Sequence, residues 1–350
     1  APAPQAVSVR QAAAPVREAA KSPAPPVVTP DPGPVPPVPP APHVIVHYDH
    51  FPLGPGHVEE PVWTQPGDGS LGSNYLSDVS FAGATHGWAV GGWNGFILAT
   101  TDGGESWEQQ DSGTNAELTG VSFVDRNRGW AVGFNGTILS TRNGGETWSH
   151  QSSPGGDYLA VSFVDRTHGW AVGNCGVISA TTDGGATWIS QVPPPAPITC
   201  ANATLTDVEF VDRNHGWAVG GDVVLSTTDG GTTWSAQSVP ASLYDAYFVD
   251  ARRGWAVGFN TVLATTDGGD TWVDLGLDLE NTALLGVAFA NRNVGWVVGS
   301  ALNGDQIILA TTDGGDTWTA ESAEATPMLR AVAAVSAEKA TAVGTAILVR

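Results

Sequence analysis

The chain has 350 residues, with 14 Lys+Arg against 35 Asp+Glu, a formal net charge of −21, two Cys, 44 Gly, 25 Pro and 14 Trp. That charge excludes nucleic acid as a partner, because phosphate binding needs a basic surface, and it argues against docking on anionic lipid. No stretch approaches the roughly 18 consecutive apolar residues of a spanning helix, and two cysteines cannot make so long a chain a disulfide scaffold.

Residues 1–42 hold 14 of the 25 prolines, with VVTPDPGPVPPVPPAP over 27–42. Proline donates no backbone hydrogen bond, so this stretch favours extended polyproline II and reads as a semi-rigid arm or tether. Arg10, Arg17 and Lys21 against Glu18 and Asp31 leave the arm at +1, so the body from His43 onward carries −22. The chain begins at Ala1 with neither Met nor an apolar signal core, which reads as a mature product whose leader has been removed, a trimmed chain being the alternative. No N-terminal Cys offers lipid attachment. The expectation is export without a lipid anchor, to the periplasm or cell surface of a bacterium.

Residues 43–59 contain His43, His47, His50 and His57. In a strand His43 and His47 share a face, so they form either part of a docking strand or, with Asp49, a chelating set. The docking reading is preferred, and no metal is assigned.

From residue 60 to 350 the chain is a tandem array. Six Gly-Trp pairs place Trp88, Trp130, Trp170, Trp217, Trp255 and Trp296 in G-W-[AV]-V-G segments about 40 residues apart. A second series follows at Trp107, Trp148, Trp188, Trp234, Trp272 and Trp318, and an apolar run such as LTGVSF (Leu118–Phe123) precedes each Gly-Trp. Short β-branched runs broken by Gly and Asp-Gly predict four strands per unit, as in a β-propeller blade. A last, incomplete unit has LRAVAA, TAVG and AILVR, and its fourth strand is expected from PVWTQ around Trp63 at the other end of the array. The predicted fold is therefore an all-β, seven-bladed propeller of four-stranded antiparallel blades, closed by an N-terminal strand and preceded by the arm. Closure removes exposed sheet edges.

Six turns carry T-x-[DN]-G-G-x-[ST]-W, with Asp102, Asn143, Asp183, Asp229, Asp267 and Asp313 at the acidic position. Such a side chain can accept turn amides while the glycines supply positive φ. Asn143 keeps the acceptor without the charge, which favours a structural role for the series. The pairing of G-W-A-V-G with this Asp box resembles the photosystem II stability/assembly factor-like propellers, over about residues 60–350. The Asp box alone is shared with bacterial sialidases and sortilin-type receptors. The resemblance implies a seven-bladed, non-enzymatic platform that holds a protein partner during assembly.

Arg126, Arg128, Arg166, Arg213, Arg252, Arg253 and Arg292 lie in the turns before Gly-Trp, typically V-D-R-x-x-G-W, on the Asp-box end of each unit. Either they are solvated turn residues, or they form a partial guanidinium ring that grips partner carboxylates. A sialidase-like site would need three of them to converge. Asp78, Asp207, Glu209 and Asp245 on the innermost strands read as solvated acids lining a central channel, with a metal or small-ligand site as the alternative. Cys175, in a turn, and Cys200, in the insertion QVPPPAPITCAN, are placed on one face by the four-strand pattern and form a disulfide candidate. No P-loop, dinucleotide glycine motif or zinc signature is present, so neither catalytic residues nor cofactor are assigned.

The resulting expectation is a non-enzymatic, exported, protein-binding propeller, an assembly or accessory subunit anchored to other protein subunits through its arm. The alternatives are a glycan-binding or sialidase-like propeller and a structural subunit of a coat or appendage.

Overall fold

In the computed structural model the described residues are 62–66, 71, 74–192, 204–323 and 327–350. The arm over 1–42 and the segment 43–59 lie outside them. Apart from one 3-10 turn at Asn174–Gly176, the regular structure among the described residues is all strand, arranged as a propeller.

Strand character follows the apolar pattern. Gly129–Gly133, Gly169–Gly173 and Gly254–Gly258, all GWAVG, are buried at every position, as a strand covered on both faces must be. Their glycines are required by close approach. A Cβ on Gly129 would stand 2.4 Å from the Phe123 ring, and one on Gly133 would stand 2.0 Å from the Glu117 carbonyl. The outermost strands, such as Ser149–His150 and Ile189–Ser190, are short and exposed. Short exposed edges limit edge-to-edge pairing between molecules.

The strands form six hydrogen-bonded sheets, at residues 78–110, 118–150, 158–190, 207–274, 282–320 and 329–349. The expectation of seven separate four-stranded blades is thereby corrected to six. The cause is the long strand Ser235–Phe248, which is the outer neighbour of Gly216–Thr227 at one end and the inner neighbour of Gly254–Gly258 at the other. Leu243 is the pivot, paired with Gly221 on one side and Gly258 on the other. Elsewhere among the described residues sheets are linked by isolated contacts, such as the Phe259–Ala283 bridge or the Leu76 N–H donating to the Gly344 carbonyl at 2.7 Å. Two sequence repeats therefore share one six-stranded sheet.

The sixth sheet has three strands, Leu329–Ala334, Ala340–Gly344 and Ile347–Val349. Beside it Thr64 and Val349 exchange backbone bonds of 2.9 and 2.8 Å, and Trp63 donates its amide to the Ser322 carbonyl. These contacts are isolated bridges rather than a strand. Trp63 is fully buried and its indole N–H donates to Glu321 at 2.8 Å. Arg350, at the other end of the array, pairs with the same carboxylate at 2.9 Å.

Five junctions between successive repeats are built alike. The Gly-Trp indole of one repeat lies flat on the inner-strand Phe of the next: Trp88 on Phe123, Trp130 on Phe163, Trp170 on Phe210, Trp217 on Phe248 and Trp255 on Phe289, all at 3.5 Å between centroids. Each Phe also meets its own Asp-box Trp edge-on, as Phe163 meets Trp188 at 84°. Such stacked and T-shaped pairs add specific geometry to apolar burial.

Two predictions follow from these contacts. Phe163→Ala empties the middle of one aromatic sandwich and is expected to cost about 3–5 kcal/mol in urea unfolding. Glu321→Ala strands the largely buried Arg350 guanidinium and is expected to cost a similar ~3–5 kcal/mol, whereas exposed Glu338→Ala stays within about 0.5 kcal/mol of the parent.

Candidate functional site

Antiparallel order sends the first–second and third–fourth strand connections of each repeat to one end of the ring, and the remaining connections to the other. Hydrogen bonds tie each end together. At the Asp-box end the Gly144 amide donates to the Asn127 carbonyl at 2.9 Å, and Gly184, Gly230, Gly268 and Gly314 repeat the contact in their own turns. At the opposite end Phe134 N–H donates to Glu117, Phe259 N–H to Ser242 and Leu302 N–H to Asn281.

The Asp-box side chains are consumed in their own turns. In the first box Thr100 Oγ1 donates to Asp102 at 2.7 Å and accepts the Gly104 amide, while the Ser106 amide and hydroxyl both donate to Asp102. The Ser106 hydroxyl is the main reason the Asp102 carboxyl is held down to about 2. Asp183, Asp267 and Asp313 make the same set with Thr187, Thr271 and Thr317, and Asp229 does so with Thr233. Asn143 reproduces the pattern with its amide, donating to Thr147 Oγ1 at 3.0 Å and accepting its backbone N–H. The carbonyl of a box glycine also receives the stacked indole of the preceding repeat, as Trp88 Nε1 to Gly144 at 2.8 Å.

The seven turn arginines divide into two groups. Arg166 pairs with Asp125 at 2.8 Å, Arg213 with Asp165 at 2.7 Å and Arg292 with Asp250 at 2.7 Å, each reaching back to the preceding repeat. These three guanidiniums are spread over three junctions around the ring. For Asp125 and Asp250, burial would raise the carboxyl, but turn amides and the neighbouring guanidinium outweigh it and hold it low. Arg253 is also engaged, donating to the Gly314 carbonyl and lying 5.3 Å from the Trp255 ring centroid. Arg126, Arg128 and Arg252 make no side-chain hydrogen bond or ion pair among the described residues. Arg126 and Arg252 are exposed. The reason is visible one repeat back, where Arg126 would find Gly83, Ala84 and Thr85 instead of an aspartate. Arg142, inside the second box, is a further exposed guanidinium, without a hydrogen bond or ion pair among the described residues, on the same turn pair as Arg126. The repeat template hid it, because Arg142 occupies a position that is Thr in every other box.

Three of the four channel acids, Asp78, Asp207 and Asp245, bond backbone amides of the inner strands rather than standing as free solvated groups. Val121 N–H donates to Asp78 at 2.7 Å and Val287 N–H to Asp245 at 2.7 Å, while Ala246 N–H is shared by Asp207 and Asp245 at 3.2 and 3.0 Å. Two positions further along the strand, serines make a parallel set of links, with Phe123 N–H donating to Ser80, Phe163 N–H to Ser122 and Phe210 N–H to Ser162. The acids line a central cavity of about 410 Å³. Burial raises Asp78 to about 7, and it raises Asp207 as well. Asp245 and Glu209 are also raised well above the ordinary carboxylate range, by burial first and then by the Asp207 charge. Glu209 makes no side-chain hydrogen bond among the described residues, and no acid or histidine cluster among them is arranged to hold a metal ion. At the far mouth Arg330 lies 4.6 Å from the Tyr75 ring centroid, and the Tyr75 hydroxyl donates to Glu117.

Cys175 is disulfide-bonded, while Cys200 lies outside the described residues. His43 and His47 lie outside them too.

The sign of the channel effect is definite. A carboxyl whose folded value is raised stabilises the fold while protonated, so its contribution is complete below about 3.8, declines as pH rises from there and is lost once pH has passed about 7. Asp78→Asn is therefore expected to flatten the fall in stability between pH 4 and 7, read as urea midpoints across that range.

A family model described as photosynthesis system II assembly factor YCF48 matches residues 70–150 and 238–347, more than half of the chain. No curated protein sequence matches. Among solved structures, "YCF48 bound to D1 peptide" is similar at TM-score 0.67 and 23% identity, covering 84% of this chain and 96% of that one. "YCF48 from Cyanidioschyzon merolae" is similar at TM-score 0.67 and 21% identity, covering 83% and 98%. The GH74 xyloglucanase from Xanthomonas campestris reaches TM-score 0.65 at 13% identity, covering 80% of this chain and 52% of that one. Identities this low speak for the propeller fold alone, whereas the family model rests on the repeats themselves, and by that match this chain belongs to the photosynthesis system II assembly factor YCF48 family.

Proposed function

We propose that this protein is a non-enzymatic, exported, protein-binding subunit that holds an acidic segment of a partner polypeptide on its Asp-box end, with the N-terminal arm as its anchor. The observation that carries the reading is the trio Arg126, Arg128 and Arg252, cations without a carboxylate partner among the described residues of a chain whose net charge is −21. On such a chain a neighbouring aspartate is easily supplied, as it is for Arg166, Arg213 and Arg292. Guanidiniums left open are suited to bidentate bonds with carboxylates from outside. The similar structure described as YCF48 bound to D1 peptide supports a peptide-holding role. A catalytic reading is disfavoured because Asp78, Asp207 and Asp245 already spend their oxygens on backbone amides.

The test is binding of a short aspartate- and glutamate-rich peptide with a free C-terminal carboxylate to the full chain. Combined Arg126→Ala, Arg128→Ala and Arg252→Ala is expected to weaken binding by about tenfold or more, while Arg166→Ala, which only loosens a junction, changes it less than about threefold. Equal affinity for the parent and the triple variant would overturn the proposal.

A further inference from the structure

The two ends of the ring differ in chemistry. All seven turn arginines and Arg142 lie at the Asp-box end, whereas the opposite end, among the described residues, carries one arginine, Arg330. It exposes instead the acids Asp111, Asp222, Asp278, Glu280 and Asp305.

Interleaved with those acids are large apolar side chains that a monomer has no internal reason to expose. Trp93 is 63% exposed, Leu302 69%, Met328 45% and Phe259 37%. All four sit in connections at this end, in the first repeat, in the two repeats around residues 259 and 302, and at the start of the last. Those repeats are consecutive around the ring. Backbone bonds fix the connections rather than leaving them loose: Phe259 N–H donates to Ser242, Leu302 N–H to Asn281, and the Met328 carbonyl accepts from Thr345. Asn281, in the left-handed region at φ 54°, holds the connection that carries Asp278 and Glu280 beside Leu302. Trp93 is also the chain's one tryptophan outside the repeat pattern apart from the closing Trp63, so the array's packing does not call for it.

We propose that this acidic, apolar end is a second docking surface, and that its occupant is an extended partner segment in which lysine or arginine alternates with large apolar residues. Charge complementarity selects the occupant. The acids of this end reject an acidic or purely apolar strand, and the apolar arc discriminates against a simple polycation. An exposed Trp with Leu, Met and Phe is the composition that carries energy when such a surface is covered. The surface is separate from the open guanidiniums of the Asp-box end, so the two can be occupied together and can fail separately.

The probe is a short synthetic peptide alternating lysine with leucine, measured against the full chain beside two controls, one with glutamate in place of lysine and one with serine in place of leucine. The expected result is binding of the lysine–leucine peptide at least about tenfold tighter than either control, with oxidative footprinting protected at Trp93 and Met328. Leu302→Ser with Phe259→Ser should weaken it about tenfold, as should Asp278→Lys with Glu280→Lys, while Arg126→Glu at the other end leaves it unchanged. These side chains are exposed, so the variants keep the core intact. Equal binding of the lysine–serine peptide would overturn the proposal by reducing it to net charge. Unchanged affinity in both face variants would overturn it as well, as would self-association of the full chain that Leu302→Ser abolishes, which would make the occupant a second copy.

Discussion

The contact on which the rest depends is the flat stack of a Gly-Trp indole on the phenylalanine of the next repeat. It repeats at five junctions with the same 3.5 Å spacing. Its two neighbours follow from it: the glycine before each Trp has no Cβ because that repeat's own inner Phe lies there, and the indole N–H ends on the carbonyl of the next repeat's Asp box. One side chain thus joins two repeats through its face and its edge. A repeat that cannot cover its own apolar face becomes stable only when its neighbour is in place.

The stack is missing where the array ends. Trp296 faces a repeat with Ala334 where the others have Phe, and its indole nitrogen finds no hydrogen-bond partner among the described residues. Arg350 covers that ring at 5.2 Å from its centroid, and Glu321 then joins Arg350 to Trp63. Where aromatic packing gives out, a largely buried ion pair and two bridges close the ring. Buried ion pairs bring geometric definition more surely than net stability, and definition is what a junction between distant chain segments needs.

Three groups of acids in the protein serve separate ends. Those of the boxes satisfy their own turns, Asp78, Asp207 and Asp245 of the channel hold the backbone of the next repeat, and those of the far end stay exposed. The same residue type is thus held down to about 2 in Asp102 and raised to about 7 in Asp78, because one accepts several donors near water and the other is withdrawn from it. Most turn arginines belong to the frame as well, and only a missing aspartate one repeat back leaves Arg126 open.

The residues alone determined the strand pattern, the repeat length and the Asp boxes, because period, glycine placement and turn chemistry are local properties. They also identified the turn arginines as a set. They did not determine the sheet count, since whether strand 235–248 breaks or continues depends on pairing at both of its edges. Nor did they separate Arg166 from Arg126, which differ only in what the neighbouring repeat places opposite them. Arg142 was masked by the repeat template, and the Trp93, Phe259, Leu302 and Met328 arc by distance along the chain. Those properties belong to juxtaposition: residues tens to hundreds of positions apart acquire a common surface, a partner or an open charge only once the ring is closed.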